Sequence, residues 1–323
     1  MTQKILIVRT SSLGDLVHML PAISDIAAHV PGAQIDWIAE ESFAEIPSWH
    51  PAVNEVITVA HRRWRKNWWS AQTRAERAAL KADLASRRYD IVLDMQALMK
   101  SIWLVRQTHG VRHGLDFKSA REPLAALFYN VRHRVEFWQP AVIRQRTLAA
   151  ATFGYTVEGP PDFGLIRFTE GTVIHPYAVI MPSASRDDKL WPSSDWHTVF
   201  DDLQQRGLTL KLLAGNAAET ARAEALIAGR DNAEVLPRSS LTGLAHVLAS
   251  ARIMVGLDSG LTHLSAGLGR PTIGIYKAST PIRTPLQGPG YTASLGERGH
   301  APSAQTVLSA IAQALSRETE PVQ

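Results

Sequence analysis

The chain has 323 residues, more than one hydrophobic core usually organises, so two domains of about 150 residues each are expected. Its 45% hydrophobic and 20% charged residues make a globular composition, and the absence of cysteine removes disulfide frameworks, zinc–thiolate sites and thiol nucleophiles, as suits a reducing compartment. Net charge is only +4, yet the cations crowd the first half, at residues 61–66 (HRRWRK) and at Arg106, Arg112, Lys118, Arg121, Arg132 and Arg134, a bias that attracts nucleic acid, anionic lipid or an acidic substrate.

Residues 4–10 (KILIVRT) open the chain with the short apolar run of a buried parallel strand, without the three-part start of a secretory signal. Residues 11–15 (SSLGD) interrupt it. Residues 16–29 then carry apolar side chains at helical spacing until Pro31 and Gly32. Strand, polar loop and helix form the first half of a βαβ unit. Residues 35–39 and 90–94 are the next expected strands, with a helix over 71–88 before the second. In the other half, 177–181, 208–213, 252–257 and 271–276 read as strands, and 195–206, 217–228 and 241–250 as helices. The alternation predicts two doubly wound parallel sheets, with residues 158–176 as the linker. A last amphipathic run, 304–315, suits either domain. No apolar run approaches the ~20 residues of a membrane span, and no solenoid repeat is present.

Ligands of open parallel sheets bind at the carboxyl ends of the strands, so three loops carry the candidate chemistry. In 11–15, Ser12 and Gly14 open a helix with Asp15 just behind them, an arrangement that presents N–H groups and a carboxylate. It has neither G-x-G-x-x-G nor a P-loop lysine, and Asp15 is equally well read as a helix cap. In 182–191 (PSASRDDKLW), Lys189 either neutralises a phosphate leaving group or pairs at the surface with Asp187 or Asp188. Residues 256–263 (GLDSGLTH) end a strand and start a helix. Asp258 occupies the place of a hydrolase's nucleophilic serine, so that motif fails, whereas Ser259 and Gly260 at a helix start suit a diphosphate. His263, one turn in, is a ligand contact or a hydrogen-bonded core histidine. The twelve histidines lack metal-ligand spacing and Asp187 with Asp188 is a weak signal, so no metal is expected.

These loops, together with residues 7–15 (IVRTSSLGD), 46–50 (IPSWH), 62–66 (RRWRK), 120–124 (AREPL), 186–189 (RDDK) with Trp191 and Pro192, and 258–263 (DSGLTH), resemble the lipopolysaccharide heptosyltransferases. These are inverting enzymes of glycosyltransferase family 9, and the resemblance spans almost the whole chain. It implies the α/β GT-B fold: two Rossmann-like domains whose sheets face a central cleft, with an acceptor domain over 1–170 and an ADP-heptose domain over 171–323. Within the family the chain is most similar to members that move L-glycero-D-manno-heptose from ADP-heptose to a Kdo hydroxyl of Kdo2-lipid A. Transferases of the second core heptose are the alternative. The resemblance implies Asp15 as general base, and Lys189, Ser259 and Gly260 at the diphosphate. Asp258 and His263 would lie at the heptose and phosphates, Glu219 at the ribose, and Ser185 at the donor. Ser12, Gly14, Arg62, Arg63, Arg65, Lys66 and Arg121 would face the acceptor. A paired hydroxyl expected near the phosphates reads Ala184-Ser185, and an apolar residue expected near the adenine reads Ser239. The resemblance implies no cofactor, no metal and no nucleic acid, and a cytoplasmic enzyme in peripheral contact with the anionic inner membrane. Two rivals also use basic residues mixed with Trp64, Trp68 and Trp69. They are a nucleic-acid-binding protein, for which no module is visible, and a noncatalytic peripheral membrane protein.

Overall fold

In the computed structural model, which describes residues 2–184 and 186–317, the strand β1 (Lys4–Val8) is the centre of a first sheet. Ile5, Leu6, Ile7 and Val8 are fully buried, the environment that an unbroken apolar run needs and an alternating one does not. β1 pairs in parallel with β2 (Gln34–Glu40) on one side and β4 (Arg88–Asp94) on the other, Ile7 standing opposite Trp37 and Leu93. β3 (Val53–Val59), β5 (His109–Leu115) and β6 (Val131–His133) complete the order β3-β2-β1-β4-β5-β6, every pair parallel. The connections are α1 (Leu13–Val17), α2 (Leu20–His29), α3 (Glu45–Ser48), α4 (His61–Lys66), α5 (Ala71–Ser86) and α6 (Met99–Val105), followed by α7 (Ala141–Phe153). The helix expected over 16–29 is thus two helices, the second starting at Leu20 with Pro21 in its first turn, a position where proline costs no hydrogen bond.

α7 ends at Gly154, whose φ of 77° is the left-handed conformation of a helix stop. Its buried Arg146 pairs with Asp25 at 2.7 Å and donates to the carbonyls of Glu158 and Gly159. The start of the expected linker is therefore fastened to the first unit, and the boundary between the two units falls between Gly164 and Leu165.

After α8 (Ile166–Thr169), the second unit repeats the plan with β7 (His175–Met181), α9 (Ser193–Gln205), β8 (Thr209–Leu212), α10 (Ala217–Ile227), β9 (Ala233–Val235), α11 (Leu241–Ala249), β10 (Ala251–Leu257), α12 (Gly260–Gly267), β11 (Thr272–Ile275), β12 (Thr292–Leu295) and α13 (Ala304–Arg317). The sheet order, β12-β11-β10-β7-β8-β9, matches the first when numbered from its own first strand. α9 buries Trp196, Val199, Phe200 and Leu203, and α13 buries Val307, Ala310, Ile311 and Ala314, each set spaced i, i+3, i+4, i+7. α13 packs on α9, β11 and β12, so the last amphipathic run belongs to the second core. The strand order of each doubly wound sheet reverses once, between β1 and β4 and between β7 and β10, and the crevice beyond such a switch point is where these sheets bind ligands. Among the described residues no helix is long and apolar enough to cross a membrane.

Candidate active site

At the first switch point, Asp15 sits in α1 just past the end of β1. The backbone N–H and the hydroxyl of Ser12 both donate to its Oδ2, at 2.8 and 2.9 Å, and Arg9 Nη2 lies 2.6 Å from its Oδ1. Asp15 therefore does brace the helix start, as one of the two sequence readings has it, while its carboxyl stays about 41% exposed. Burial opposes its charge, but Arg9, the Ser12 N–H, His18 and the Ser12 hydroxyl outweigh it and hold the carboxyl at about 2. The loop after β4 closes around the same place: Thr10 donates to Gln96 through both N–H and hydroxyl, and Lys100 Nζ donates to Ser11 Oγ at 2.8 Å. Burial and then Arg9 push the Lys100 ammonium below its ordinary value.

A cavity of about 810 Å³ adjoins this loop, lined by Ser11, Glu40, Arg62, Arg65, Lys66 and Lys100 together with His61, Arg77 and three tryptophans. Glu40 is 2% exposed, and its carboxylate accepts the N–H groups of His61 and Arg62, fixing the start of α4 with a negative charge where a helix favours one. The guanidinium of Arg62 lies over Phe43, 4.6 Å from the ring centroid. The structure thus brings three of the expected acceptor residues, Arg62, Arg65 and Lys66, to one cavity. It does not bring Arg63 or Arg121. Arg63 makes two bonds to Glu76, of 2.9 and 2.8 Å, and pairs with Glu41 at 3.0 Å, fixing α4 to α5 instead. Arg121 is exposed in the bend before Pro123. Of the three tryptophans named for the nucleic-acid reading, Trp64 is 4% exposed and donates to Glu76, Trp68 is half-exposed with Arg77 over its ring at 3.9 Å, and Trp69 is exposed.

At the second switch point, Lys189 ends a 3₁₀ turn, Asp187–Lys189, and reaches Asp258 Oδ2 at 2.9 Å and the Asp258 carbonyl at 3.2 Å. Its expected surface partners are engaged elsewhere, Asp187 by Arg222 and Asp188 by Arg186. Asp258 also accepts from Ser279 at 2.6 Å and lies 3.2 Å from His263 Nε2. Burial raises its pKa, but His263, Ser279 and Lys189 more than reverse this, and the carboxyl is held far below the usual carboxylate range. His263, 5% exposed, is both a buried histidine and a member of the charged cluster. Ser259 caps α12, its Oγ accepting the Thr262 N–H, with Gly260 as the first helical residue.

Glu219, in the first turn of α10, accepts from the Gly215 N–H at 2.7 Å and from Asn216 Nδ2 at 2.8 Å, closing the turn after β8. Beside that turn a small hollow of about 160 Å³ is lined by Met181, Leu213, Leu236, Leu244 and Leu261, with Ser239 at its wall. A Cβ on Gly243 would stand 2.2 Å from Ser239 Oγ, so a larger residue there would have to turn that hydroxyl away. Ser185 lies outside the described residues. The sequence reading misses Arg9 as the partner of Asp15, and it misses Gln96, Lys100 and Ser279. Lys100 carries one detectable signal, a lysine just beyond the strand at 90–94; Ser279 and Gln96 meet the site only through contacts 21 and 86 residues apart in the chain, and Arg9 reaches Asp15 across a turn.

Comparison with known proteins follows the same lines. The profile of glycosyltransferase family 9 (heptosyltransferase) matches residues 77–310. Lipopolysaccharide heptosyltransferase 1 of Salmonella typhimurium is 46% identical over 283 residues, covering 86% of this chain and 89% of its own. The solved structure of E. coli heptosyltransferase WaaC with ADP superposes with a TM-score of 0.90 at 41% identity, over 97% of this chain and 100% of that one. The same E. coli enzyme with ADP-2-deoxy-2-fluoro heptose gives 0.85 at 40% identity, over 98% and 100%. A profile match over most of the chain, and identity above 40% along nearly all of it, mean that the chain belongs to glycosyltransferase family 9, the heptosyltransferases.

Proposed function

We propose that the protein transfers L-glycero-D-manno-heptose from ADP-heptose to a Kdo hydroxyl of Kdo2-lipid A, with inversion, from the cytoplasmic face of the inner membrane. The observation that carries this reading is the 46% identity, along most of both chains, to an enzyme named lipopolysaccharide heptosyltransferase 1. The solved relative bound to a fluorinated ADP-heptose supports the donor, and the cationic cavity beside Asp15 supports an acceptor rich in carboxylates and phosphates.

In this reading the acceptor hydroxyl oxygen attacks the anomeric carbon of the heptose opposite the diphosphate. The carbon–oxygen bond to the β-phosphate breaks, the hydroxyl proton passes to the Asp15 carboxylate, and ADP leaves. Ser12 and Gly14 border the base, and Arg62, Arg65, Lys66 and Lys100 face the acceptor anions. Lys189 and the N–H groups at Ser259 and Gly260 offset the charge on departing ADP, a stabilisation that acts where charge develops. Asp258 and His263 hold Lys189 in place and meet the sugar and phosphates. Glu219 suits the ribose hydroxyls, and the apolar hollow by Ser239 suits the flat face of adenine. Purified protein given ADP-heptose and de-acylated Kdo2-lipid A should release ADP and yield an acceptor heavier by one heptose. Transfer only to an acceptor already carrying that heptose would assign the second-heptose reaction instead, and no transfer to either would sink the reading.

A further inference from the structure

Among the described residues twelve large apolar side chains are exposed, and four of them, Met99, Phe117, Leu124 and Leu127, come from residues 99–127 of the first unit. Contacts set these residues around one turn. The 3₁₀ turn Pro123–Phe128 directs the fully buried Ala125 and Ala126 inward onto Ile102 and Tyr129. With three residues per turn, Leu124 and Leu127 then eclipse each other on the outer side, where they are 63% and 57% exposed. Glu122 accepts the Met99 N–H at 2.6 Å, which sets Met99 beside the turn. Arg132, on the edge strand β6, donates to the Ala126 carbonyl and lies 5.4 Å from the Phe117 ring, and Arg106 lies 5.5 Å from that of Phe128.

The charge around these side chains is mostly of one sign. Arg106, Lys118, Arg121, Arg132 and Arg134 are exposed. Of the acids, Asp116 accepts the N–H groups of Lys118 and Ser119, Glu122 that of Met99, and Glu136 that of Phe137. An apolar patch rimmed by charge marks an interaction surface, and a cationic rim selects an anionic partner.

We propose that this face docks the protein on an anionic lipid bilayer, Leu124 and Leu127 entering the acyl boundary while the surrounding cations meet lipid phosphates. Apolar side chains flanked by Lys and Arg are the combination that binds such an interface. The inference rests on the reading that the acceptor is anchored in that bilayer. It uses a different set of side chains from those lining the sugar-facing cavity, so docking and transfer separate by mutation.

Vesicles of phosphatidylcholine and phosphatidylglycerol should sediment the wild-type protein, less so as salt rises. The double variant Leu124→Glu, Leu127→Glu should bind them at least tenfold more weakly, with an unchanged melting temperature and an unchanged rate on de-acylated acceptor. Because the chain has no cysteine, Leu127→Cys offers a single attachment point for an environment-sensitive dye. That dye should shift to the blue on vesicles, and a dye at Thr58→Cys, on β3 at the opposite edge of the sheet, should not. Wild-type binding retained by the double variant, no shift at position 127, or an equal shift at both positions would overturn the proposal. So would wild-type protein that ignores vesicles but forms a dimer the double variant dissolves, which would give the face to a second copy. Failure of the wild-type protein to use de-acylated acceptor would instead strike the transfer reading and leave the vesicle result standing.

Discussion

The proposed reaction asks two things of Asp15 that pull against each other. As the brace of α1 it holds the Ser12 N–H and hydroxyl, and as the proposed base it would take a proton from the acceptor. The contacts that position it, Arg9 above all, are the ones that keep its carboxyl at about 2. It is therefore fully ionised at neutral pH but intrinsically weak as a base, so in the proposed role any rate advantage would come from placement. The sign of the linkage follows: a depressed folded pKa contributes stability above the ordinary carboxyl value of 3.8, and that stability is lost as pH falls toward 2. An acid limb in the rate profile near pH 6 would then belong to another group. Asp15→Asn keeps an oxygen for Ser12, so the variant should fold, bind ADP-heptose, and turn over ~10²- to 10⁴-fold more slowly. Loss of a cap alone costs ~1 kcal/mol of stability and predicts no such loss of rate. Near wild-type turnover at saturating substrates would send the search for the base elsewhere. Asp15, Lys189 and Asp258 were legible because each follows an apolar run that could only be a buried strand. Arg9 was in plain view too, but nothing local says that its side chain turns to meet Asp15.

At the scale of elements, what could be read was what is buried on both sides. The strands β1, β4, β7 and β10 each contain a buried apolar run, and they frame both switch points. Of the five strands the sequence did not yield, β3, β6, β9 and β12 lie outermost in their sheets and β5 next to one, and they are short, polar or interrupted by glycine, so the period that betrays a strand is lost. α4 is legible as a basic run and still misread as uniform. Glu40, 21 residues upstream of His61, fixes its start and so decides that Arg62 and Arg65 line the cavity while Arg63 is held by Glu41 and Glu76. In the proposed reaction the N–H groups at the start of α12 and Lys189, which is paired with Asp258, take the part that a divalent ion plays in other transferases. Activity should accordingly survive EDTA largely intact. Complete loss in chelator, restored by magnesium or manganese, would assign the charge compensation to a metal.

Across the whole molecule, two units with the same strand order carry opposite local chemistry at equivalent switch points. In the first, a carboxylate that cannot protonate near neutrality sits beside a cavity with five lysine and arginine side chains from α4, α5 and α6. In the second, a lysine locked onto a buried aspartate sits at a helix start, next to an apolar hollow. Duplication of the plan was visible in the alternation of strands and helices; the proposed division of labour was visible as an excess of arginine in the first half and a helix start at Ser259-Gly260 in the second. It predicts separable defects. A charge-assisted hydrogen bond is worth ~1.5–3 kcal/mol, so Lys189→Ala should weaken ADP binding roughly ten- to a hundredfold while leaving acceptor KM nearly unchanged. Arg62→Ala, whose guanidinium lines the cavity and whose N–H to Glu40 is preserved, should raise acceptor KM and leave ADP affinity alone. Calorimetry with ADP and acceptor titrations at saturating donor give the two numbers for each variant. Lys189→Ala that binds ADP normally, together with Arg62→Ala that does not bind it, would exchange the roles of the two units.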